Sequence, residues 1–308
     1  MLSVCIPVYN SKIDDLIKAL HYQQKQVKNN VEIIVIDDAS NEKFKLHNRK
    51  FFNYVDKYVE LPENVGRSRI RNMFLKYVST PNMLFIDSDS CIDNSEYLKK
   101  YLKVLEKYKG KVIVGGSSYF EQKPDKNKIL RWKYGREVES QKAERRNINP
   151  FVSFKTNNVL IPKEILKKTP FEEYVTGYGH EDTLMGFRLK KAGVGIVHID
   201  NYVINKDLDT NEEFLAKSKE AVDSLFQILQ IVDGDKEFID DVKLLAWVRK
   251  LYVMKLSGTA KGVLNILGPF VEFALKKGIP SILLFNVFKL KQALDVCYAT
   301  GACKYFKD

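Results

Sequence analysis

Residues 2–8 read LSVCIPV and residues 31–37 read VEIIVID, two apolar runs that are each followed by polar residues. Runs of this kind predict strands that are buried on both faces of a sheet. Helix-patterned stretches follow both runs, and a third apolar run from Met83 to Ile86 continues the alternation. Alternating strands and helices over roughly the first 115 residues predict an α/β fold with a mostly parallel sheet and helices on both faces.

The pattern changes in the middle of the chain. Residues 121–150 hold nine basic and five acidic residues and few apolar ones, which predicts a mobile, partly helical segment. Short strands are predicted again at three places: 152–154, 158–161 and 195–199. Beyond Asn205 the pattern is helical to the end, so we expect an α/β domain over residues 1–205 and a helical extension over residues 206–308.

Composition limits the function classes. The chain has 308 residues, 45% of them hydrophobic, and this is enough for a large buried core. The formal net charge is +11, which favours an anionic partner such as a nucleic acid, an acidic membrane surface or a phosphorylated small molecule. The first ten residues do not resemble a signal peptide, and the apolar run at 278–288 is too short to span a bilayer. We therefore expect a soluble or surface-bound protein, either cytoplasmic or peripheral on the inner face of the cell membrane.

The four cysteines show neither the spacing of a zinc site nor that of a disulfide framework. They are Cys5, Cys91, Cys297 and Cys303. The sequence therefore predicts unpaired cysteines in a reducing compartment.

Polar residues follow three of the predicted strands, where open parallel sheets bind their ligands. These stretches are Pro7 to Asn10, Asp37–Asp38 and Asp87–Ser88–Asp89. The glycine-rich phosphate loops of dinucleotide folds and P-loop proteins are absent from the sequence, so we expect a metal to neutralise phosphate charge. Paired carboxylates suit Mg²⁺ or Mn²⁺, although an acidic turn that caps the next helix would look the same.

Two further motifs contain glycine. Gly177 to Asp182 place two acids at the start of a predicted helix, either as a simple helix cap or as a general base beside a ligand. Asn64 to Gly66 lead into a basic helix with Arg67, Arg69 and Arg71, and this arrangement suits an anion.

Together these motifs resemble the family-2 glycosyltransferases of the GT-A fold. The resemblance rests on five stretches in the order found in that family: SVCIPVYN, EIIVIDDAS, ENVGRSRIRN, LFIDSDS and GYGHEDTLMGFRL. The last also resembles the galactosyltransferase-like motif of chondroitin-polymerase-type enzymes, and it slightly favours UDP-galactose or UDP-N-acetylgalactosamine as the donor. The resemblance covers about 190 residues and is thin beyond residue 205.

The resemblance implies a role for each matching residue. Pro7, Tyr9 and Asp38 would line the uridine pocket, and four more residues would border the nucleotide: Asn64, Gly66, Arg71 and Ser88. Asp87 and Asp89 would form the metal-binding pair, with Asp89 as the direct ligand of Mn²⁺ or Mg²⁺. His198 would be a further metal ligand, or else a structural hydrogen-bonding group. Asp182, or failing it Glu181, would be the catalytic base.

The implied activity is that of an inverting hexosyltransferase in bacterial polysaccharide synthesis. It would move a sugar from a UDP-sugar to a saccharide or a lipid-linked acceptor. A sugar-phosphate nucleotidyltransferase is an alternative, but its glycine-rich signature is missing after the first strand.

A noncatalytic protein that binds a membrane surface or a polyanion is the other alternative, because residues 249–291 carry a net charge of +7. The helices there would either pack on the catalytic domain or lie on anionic lipid, peripheral to the membrane. Nucleic-acid binding is not expected, because aliphatic rather than aromatic residues accompany these basic residues.

Overall fold

A computed structural model describes residues 1–27, 30–175 and 177–307. Two compact units are found. The first comprises residues 1–120, 139–173 and 185–207, and the second comprises residues 121–138, 174–184 and 208–308. The predicted domain boundary between residues 205 and 206 remains a prediction.

All described strands belong to the first unit. They are β1 (Leu2–Val8), β2 (Val31–Asp37), β3 (Lys57–Glu60), β4 (Asn82–Phe85), β5 (Ser90–Cys91), β6 (Val112–Val114), β7 (Ser117–Ser118), β8 (Val159–Pro162), β9 (Ile196–His198) and β10 (Val203–Asn205). Seven form one sheet in the order β3-β2-β1-β4-β8-β6-β9, and a small sheet has the order β5-β10-β7. In the large sheet only β8 runs antiparallel to its neighbours, so the predicted mostly parallel α/β sheet is confirmed.

Thirteen α-helices lie within the described ranges. They are α1 (Asp14–Gln26), α2 (Glu42–Asn48), α3 (Arg67–Met73), α4 (Tyr97–Lys107), α5 (Ile129–Tyr134), α6 (Ala143–Arg146), α7 (Lys163–Lys168), α8 (Glu181–Lys191), α9 (Asn211–Ile231), α10 (Lys236–Asp241), α11 (Lys243–Val253), α12 (Ser257–Lys276) and α13 (Ile282–Thr300). The helical character predicted beyond Asn205 is confirmed. No helix in these ranges is long and apolar enough to cross a membrane.

Strand β1 shows why a strand at the centre of this sheet needs an apolar run without polar interruptions. Successive side chains of a strand point to opposite faces of the sheet. Val4 and Ile6 pack on one face in a cluster that includes Leu16 of α1. Cys5 packs on the other face in a cluster that includes Ile70 of α3. Both faces of the sheet are therefore buried, and the polar residues that can bind a ligand lie at its edge.

Two local predictions are wrong. Residues 152–154 form a turn rather than a strand, because the amide of Phe154 donates to the carbonyl oxygen of Phe151 (3.3 Å). Cys297 and Cys303 are joined by a disulfide with their Cα atoms 5.2 Å apart, although the sequence predicted unpaired cysteines. Cys303 lies only six residues after Cys297, and the chain turns back at Gly301 in a left-handed conformation (φ 69°). This reversal brings the two sulfur atoms together.

The second unit has its own aromatic core. Phe285 of α13 stacks on Phe214 of α9 with ring centroids 4.9 Å apart, and its ring lies 5.2 Å from that of Tyr134. Leu130, Leu275 and Phe288 complete this buried cluster. Helix α9 begins with a capping box, in which Thr210 and Glu213 accept hydrogen bonds from each other's backbone amides. Helix propensity, capping and a compact core thus agree over this part of the chain.

Candidate active site

Three polar loops of the first unit meet at one edge of the large sheet. Strand β1 lies between β2 and β4 and is parallel to both. Parallel neighbours end at the same edge, so the loops at Tyr9–Asn10, Asp37–Asp38 and Asp87–Asp89 follow adjacent strand ends. This is the position at which open α/β sheets bind ligands.

The loops after β1 and β2 are tied together by hydrogen bonds. The amide of Asn10 donates to Oγ of Ser40 (2.8 Å), and the amide of Asn41 donates to Oδ1 of Asn10 (2.8 Å). Both loops contain a residue with positive φ, Asn10 at 49° and Ala39 at 57°. Such backbone is unfavourable for residues other than glycine, so the reciprocal bonds hold both loops in a fixed conformation.

Asp38 organises a third loop. Its carboxylate accepts hydrogen bonds from the amides of Val65 (2.7 Å) and Gly66 (3.1 Å), and its carbonyl oxygen accepts one from the side chain of Asn64 (3.2 Å). Gly66 has φ 84°, a conformation that favours glycine. Asp38, Asn64 and Gly66, which lie 28 residues or fewer apart in sequence, therefore form one local unit. Their predicted contacts with a nucleotide remain predictions.

Asp37, the first acid of the same pair, is fully buried. Its Oδ1 accepts the amide of Ser40 (2.7 Å), and its Oδ2 has no hydrogen-bond partner among the described residues. Burial raises the pKa of this carboxyl above its usual range, and the hydrogen bond from Ser40 partly offsets that rise. The family resemblance assigned a nucleotide contact to Asp38 alone, and the structure places Asp37 inward.

Arg71 binds Asp87, the first acid of the D-x-D motif that Asp87, Ser88 and Asp89 form. Its Nη2 lies 2.8 Å from Oδ1 of Asp87, and the arginine side chain is only 5% exposed. Its Nη1 donates to the carbonyl oxygen of Arg67 (3.3 Å), and its guanidinium lies 5.9 Å from the ring of Phe171. Arg71 thus contacts the acidic loop directly, and it fixes the orientation of Asp87.

Asn157 contacts the loop at Asp87, although the sequence did not predict this contact. Its Oδ1 accepts hydrogen bonds from the amide of Asp87 (3.1 Å) and from Oγ of Ser90 (3.2 Å). Its Nδ2 donates to Oδ1 of Asn205 (3.1 Å). Asn157, which lies 70 residues after Asp87 and just before β8, therefore holds the D-x-D loop in place. No local motif marks this residue, and only the packing of β8 beside β4 brings it here.

Asp89 is the most perturbed acid of this edge. Burial is the largest cause that raises its pKa, to about 6, and the nearby carboxylates of Asp87 and Asp207 raise it further. The amide of Lys206 donates to the carbonyl oxygen of Asp89 (3.4 Å), which keeps the β10 segment and Asp207 beside it. Asp207 was not predicted as a site residue, because it lies 118 positions from Asp89 and outside every motif.

This donor set fits a divalent cation that is also bound by phosphate. Clustered carboxylates repel one another, and a cation relieves that repulsion. Within the described ranges, no group of three or more His, Cys, Asp and Glu side chains is arranged to hold a metal by itself. Mg²⁺-type sites commonly use one or two carboxylates, with substrate phosphates and water as the remaining ligands. The chain therefore offers part of a coordination shell rather than a closed protein site.

His198 is engaged in a different way. Its Nδ1 lies 2.8 Å from Nη1 of Arg146, and its Nε2 lies 2.9 Å from the carbonyl oxygen of Pro150. Because arginine can only donate, Nδ1 is the acceptor and Nε2 carries the proton. Burial is the main cause that lowers the pKa of His198 to about 4. Both ring nitrogens are used within the protein, which argues against the predicted metal role and favours the structural alternative.

The glycine-rich motif lies in the second unit. A Cβ atom at Gly179 would lie 2.7 Å from Cβ of Ala221 on α9, and one at Gly177 would collide with Oγ of Ser224. The amide of Tyr178 donates to Oε1 of Glu220 (3.2 Å). The two glycines are therefore required for close packing of this segment on α9.

The two predicted catalytic acids follow this segment directly. Glu181 and Asp182 are partly exposed and form the first turn of α8. The positive end of the helix dipole lies beside these two side chains. His180 precedes them with φ 64°, its carbonyl oxygen accepts the amide of Leu184 (3.0 Å), and its Nδ1 lies 3.0 Å from Oγ1 of Thr183. This start of the helix presents both carboxylates at its N-terminal end.

An open, mostly parallel α/β sheet of this kind binds its ligands at the carboxyl ends of its strands. The profile of the family described as glycosyl transferase family 2 matches residues 3–168. The chain belongs to this family, and its fold is the GT-A fold.

Known relatives agree with this assignment. Glycosyltransferase GlyA of Streptococcus pneumoniae is 30% identical over 123 residues, which cover 39% of this chain and 17% of that protein. The chain thus matches only a small part of this relative.

Solved structures show the same fold. The mannosyltransferase PcManGT of Pyrobaculum calidifontis, in complex with GDP-Man and Mn²⁺, superposes with a TM-score of 0.63 at 15% sequence identity. The superposition covers 98% of this chain and 86% of the PcManGT chain. Residues 1–349 of S. aureus TarS, in complex with UDP-GlcNAc, superpose with a TM-score of 0.54 at 18% sequence identity. The superposition covers 97% of this chain and 92% of the TarS chain.

Proposed function

We propose that this chain is an inverting, metal-dependent glycosyltransferase that moves a sugar from a UDP-sugar to a hydroxyl group of a saccharide or lipid-linked acceptor. The observation that carries the proposal is Asp89, a carboxyl with a pKa of about 6 beside Asp87 and Asp207, at the ligand-binding edge of a family-2 sheet. A divalent cation and a nucleoside diphosphate would complete this partial coordination shell.

The loops around Asp89 suit the nucleotide. Tyr9 is 55% exposed, so its ring is available to stack on a base. Pro7 and Asp38 flank the same edge, and we assign all three residues to the uridine pocket. Asn64, Gly66, Arg71 and Ser88 would border the nucleotide. Asp89 would be the direct ligand of Mn²⁺ or Mg²⁺, with Asp87 held beside it by Arg71.

The bound cation would stabilise the negative charge that develops on the departing diphosphate. Asp182 would accept the proton of the acceptor hydroxyl as the oxygen attacks the anomeric carbon from the face opposite the diphosphate. Glu181 is the second candidate for this base. One base and a single in-line displacement invert the anomeric centre, and no covalent glycosyl-enzyme forms. The structural support is the location of both acids in the first turn of α8.

The first experiment measures nucleotide release from a panel of sugar nucleotides with Mn²⁺, with Mg²⁺ and with a chelator. UDP-galactose and UDP-N-acetylgalactosamine lead the panel because of the glycine-rich motif. GDP-mannose and UDP-GlcNAc are included because solved relatives were crystallised with them. We expect metal-dependent UDP release from one donor, with the anomeric configuration of the product inverted as read by NMR.

Matched variants test the assignments. Asp89→Asn removes the proposed metal ligand and should lower turnover by about 10³-fold, since such metal contacts supply several kcal/mol of transition-state stabilisation. Asp182→Asn should lower turnover by about 10²-fold or more, as expected for a general base. Asp93→Asn, an exposed acid of the first unit, and Glu144→Gln, another exposed acid, should leave turnover unchanged.

Two results would contradict the proposal. Formation of UTP and a sugar 1-phosphate when pyrophosphate is added to the UDP-sugar, instead of release of UDP, would identify the nucleotidyltransferase alternative. If no donor is turned over and calorimetry finds no metal-dependent binding of UDP, the uridine pocket is wrong. The predicted cytoplasmic location and the role in bacterial polysaccharide synthesis stay predictions that these assays do not address.

A further inference from the structure

Helix α12 exposes its largest apolar side chains. Five of them lie within an arc of about 120° on one side of the helix, at 100° per residue. We call this set the outward face: Val263 (49% exposed), Ile266 (71%), Leu267 (49%), Phe270 (73%) and Phe273 (63%). The outward face has no charged residue until Lys277, which follows the helix.

The inward side of the same helix combines two small residues with one large apolar side chain, Leu275, which packs in the aromatic core of the second unit. Its buried positions are Ser257, Gly268 and Leu275. A Cβ atom at Gly268 would lie 2.6 Å from Cδ of Lys291, so glycine lets the stem of that lysine on α13 lie against the backbone of α12. A helix that only covers its own protein core would bury its other large apolar side chains as well. A run of five exposed ones on one helix marks an interaction surface.

The charge around the outward face indicates the partner. Residues 242–307 contain eleven basic and two acidic residues, a net charge of +9. Both acids already have lysine partners. Glu272 binds Lys276 (3.0 Å) and Asp295 binds Lys291 (2.6 Å). The described part of the chain therefore offers no unpaired carboxylate to oppose an anionic surface in this region.

Exposed cations flank the outward face at both ends. Lys255 precedes α12 and Lys277 follows it, and neither forms an ion pair with a described carboxylate. Nζ of Lys277 lies 5.6 Å from the ring centroid of Phe273, so the cation lies beside an exposed aromatic side chain. Lysines beside apolar side chains are typical of helices at the lipid–water boundary.

We propose that the outward face of α12 docks on an anionic lipid surface, with the helix axis parallel to the membrane plane. The 20-residue helix is about 30 Å long. Its apolar arc would enter the headgroup boundary while the lysines at its ends contact lipid phosphates. A second copy of the chain is a poorer occupant, because it would bring together two copies of residues 242–307, a segment with a net charge of +9.

The test is sedimentation of the full chain with vesicles, one set of phosphatidylcholine alone and one that also contains phosphatidylglycerol. We expect strong binding to the anionic vesicles, weaker binding at high salt and little binding to the neutral ones. Ile266→Ser combined with Phe270→Ser should lower partitioning by about 10²-fold, and Lys277→Gln by about fivefold. The assay uses no sugar nucleotide, so its outcome is independent of the proposed transfer reaction.

Controls match exposure and residue type. Ile148→Ser, at a position 72% exposed in the first unit, should leave partitioning unchanged, as should Lys103→Gln on α4. Equal melting temperatures of the variants and wild type would show that the fold is retained. Failure of the wild type to sediment with either kind of vesicle would overturn the proposal. So would a dimer in solution that the Ile266/Phe270 variant abolishes and that shows no vesicle binding.

Discussion

The sheet of the first unit and helix α12 of the second unit place their side chains in opposite ways. In the sheet, Val4 and Ile6 are fully buried. In α12, Gly268 faces inward while Ile266 and Phe270 face solvent. Burial of apolar surface drives folding and association alike. The apolar side chains of the sheet are therefore buried by other parts of the chain, whereas those of α12 are exposed and can contact another surface.

The largest stability effect is expected at the buried polar hub of the first unit, Asn158. It accepts hydrogen bonds from the hydroxyls of Tyr97 and Tyr101 (2.6 Å each) and donates to the carbonyl oxygens of Gly116 (2.6 Å) and Asn201 (2.7 Å). Asn158→Ala leaves these four groups without this partner, and each buried polar group left unpaired costs about 1–3 kcal/mol. We expect urea denaturation to show a loss of about 3 kcal/mol or more.

Asn53→Ala is the matched control, because Asn53 is exposed and its removal should change stability by less than about 0.5 kcal/mol. Asn158 directly follows Asn157, which binds the loop at Asp87, so Asn158→Ala should weaken UDP binding as well. If Asn158→Ala were as stable as Asn53→Ala, the first unit would not depend on satisfied internal polar groups, and the contrast with α12 would fail.

A second test uses pH and His198, which is buried and has a pKa of about 4 rather than 6.5. The unfolded chain takes up the proton more readily than the folded one. The contribution of this histidine to stability is therefore complete above about pH 6.5 and is lost as pH falls towards 4. At pH 4.5 we expect wild type to have lost about 2 kcal/mol through this group.

His198→Gln should remove that part of the pH dependence, because glutamine keeps an acceptor for Arg146 and a donor for Pro150 but does not titrate. The measurement is the difference in unfolding free energy between the two proteins at several pH values. Parallel curves for wild type and variant would show that His198 does not resist protonation in the folded state. A metal role for His198 would instead appear as weaker Mn²⁺-dependent stabilisation in the variant.

A smaller effect is expected where glycine permits close packing. Gly179→Ala forces a side chain onto a backbone at φ 93° and places its Cβ 2.7 Å from Cβ of Ala221. Gly110→Ala tests the backbone cost alone, because Gly110 has φ 72° and nothing lies within 4 Å of an added Cβ. We expect a loss of about 1 kcal/mol for Gly110→Ala and about 1–2 kcal/mol more for Gly179→Ala.

Transferase activity separates these two glycines further. Displacement of the segment before Glu181 and Asp182 should lower turnover in Gly179→Ala, while Gly110→Ala should retain it. Equal stability losses in the two variants would mean that α9 moves aside to accept the extra methyl group.

Sequence patterns predicted the parts of the fold that have long, bounded apolar runs. Strands β1 and β2 were predictable because their runs are seven residues long and end in polar turns. The strand predicted at residues 152–154 was wrong because a run of three residues does not distinguish a strand from a turn that buries one phenylalanine, here Phe154. The alternation of strands and helices also gave the correct fold class, since each strand–helix unit is local in sequence.

The site was predictable only where its residues adjoin a strand end. Asp87 and Asp89 directly follow the apolar run of β4, whereas Asn157 and Asp207 reach the same loop from distant parts of the chain. The chemistry of His198 fits a metal ligand and a structural hydrogen bond equally well, and only its partners decide. In α12 the apolar residues covered much of the helix circumference, so the sequence did not reveal which side would face inward.

The smallest effect on the free energy of unfolding is expected on the outward face of α12, and it tests the comparison with the sheet most directly. Phe270→Ser should alter the free energy of unfolding by less than about 0.5 kcal/mol, since the side chain is 73% exposed and the helix propensities of the two residues are similar. Phe285→Ser, at a position 2% exposed in the same unit, should cost about 3 kcal/mol or more because it leaves a cavity and buries a hydroxyl. Urea denaturation of both variants measures the difference. A large loss in Phe270→Ser would mean that the outward face of α12 stabilises the chain itself, whereas a negligible loss combined with weaker vesicle binding would assign these side chains to the lipid surface.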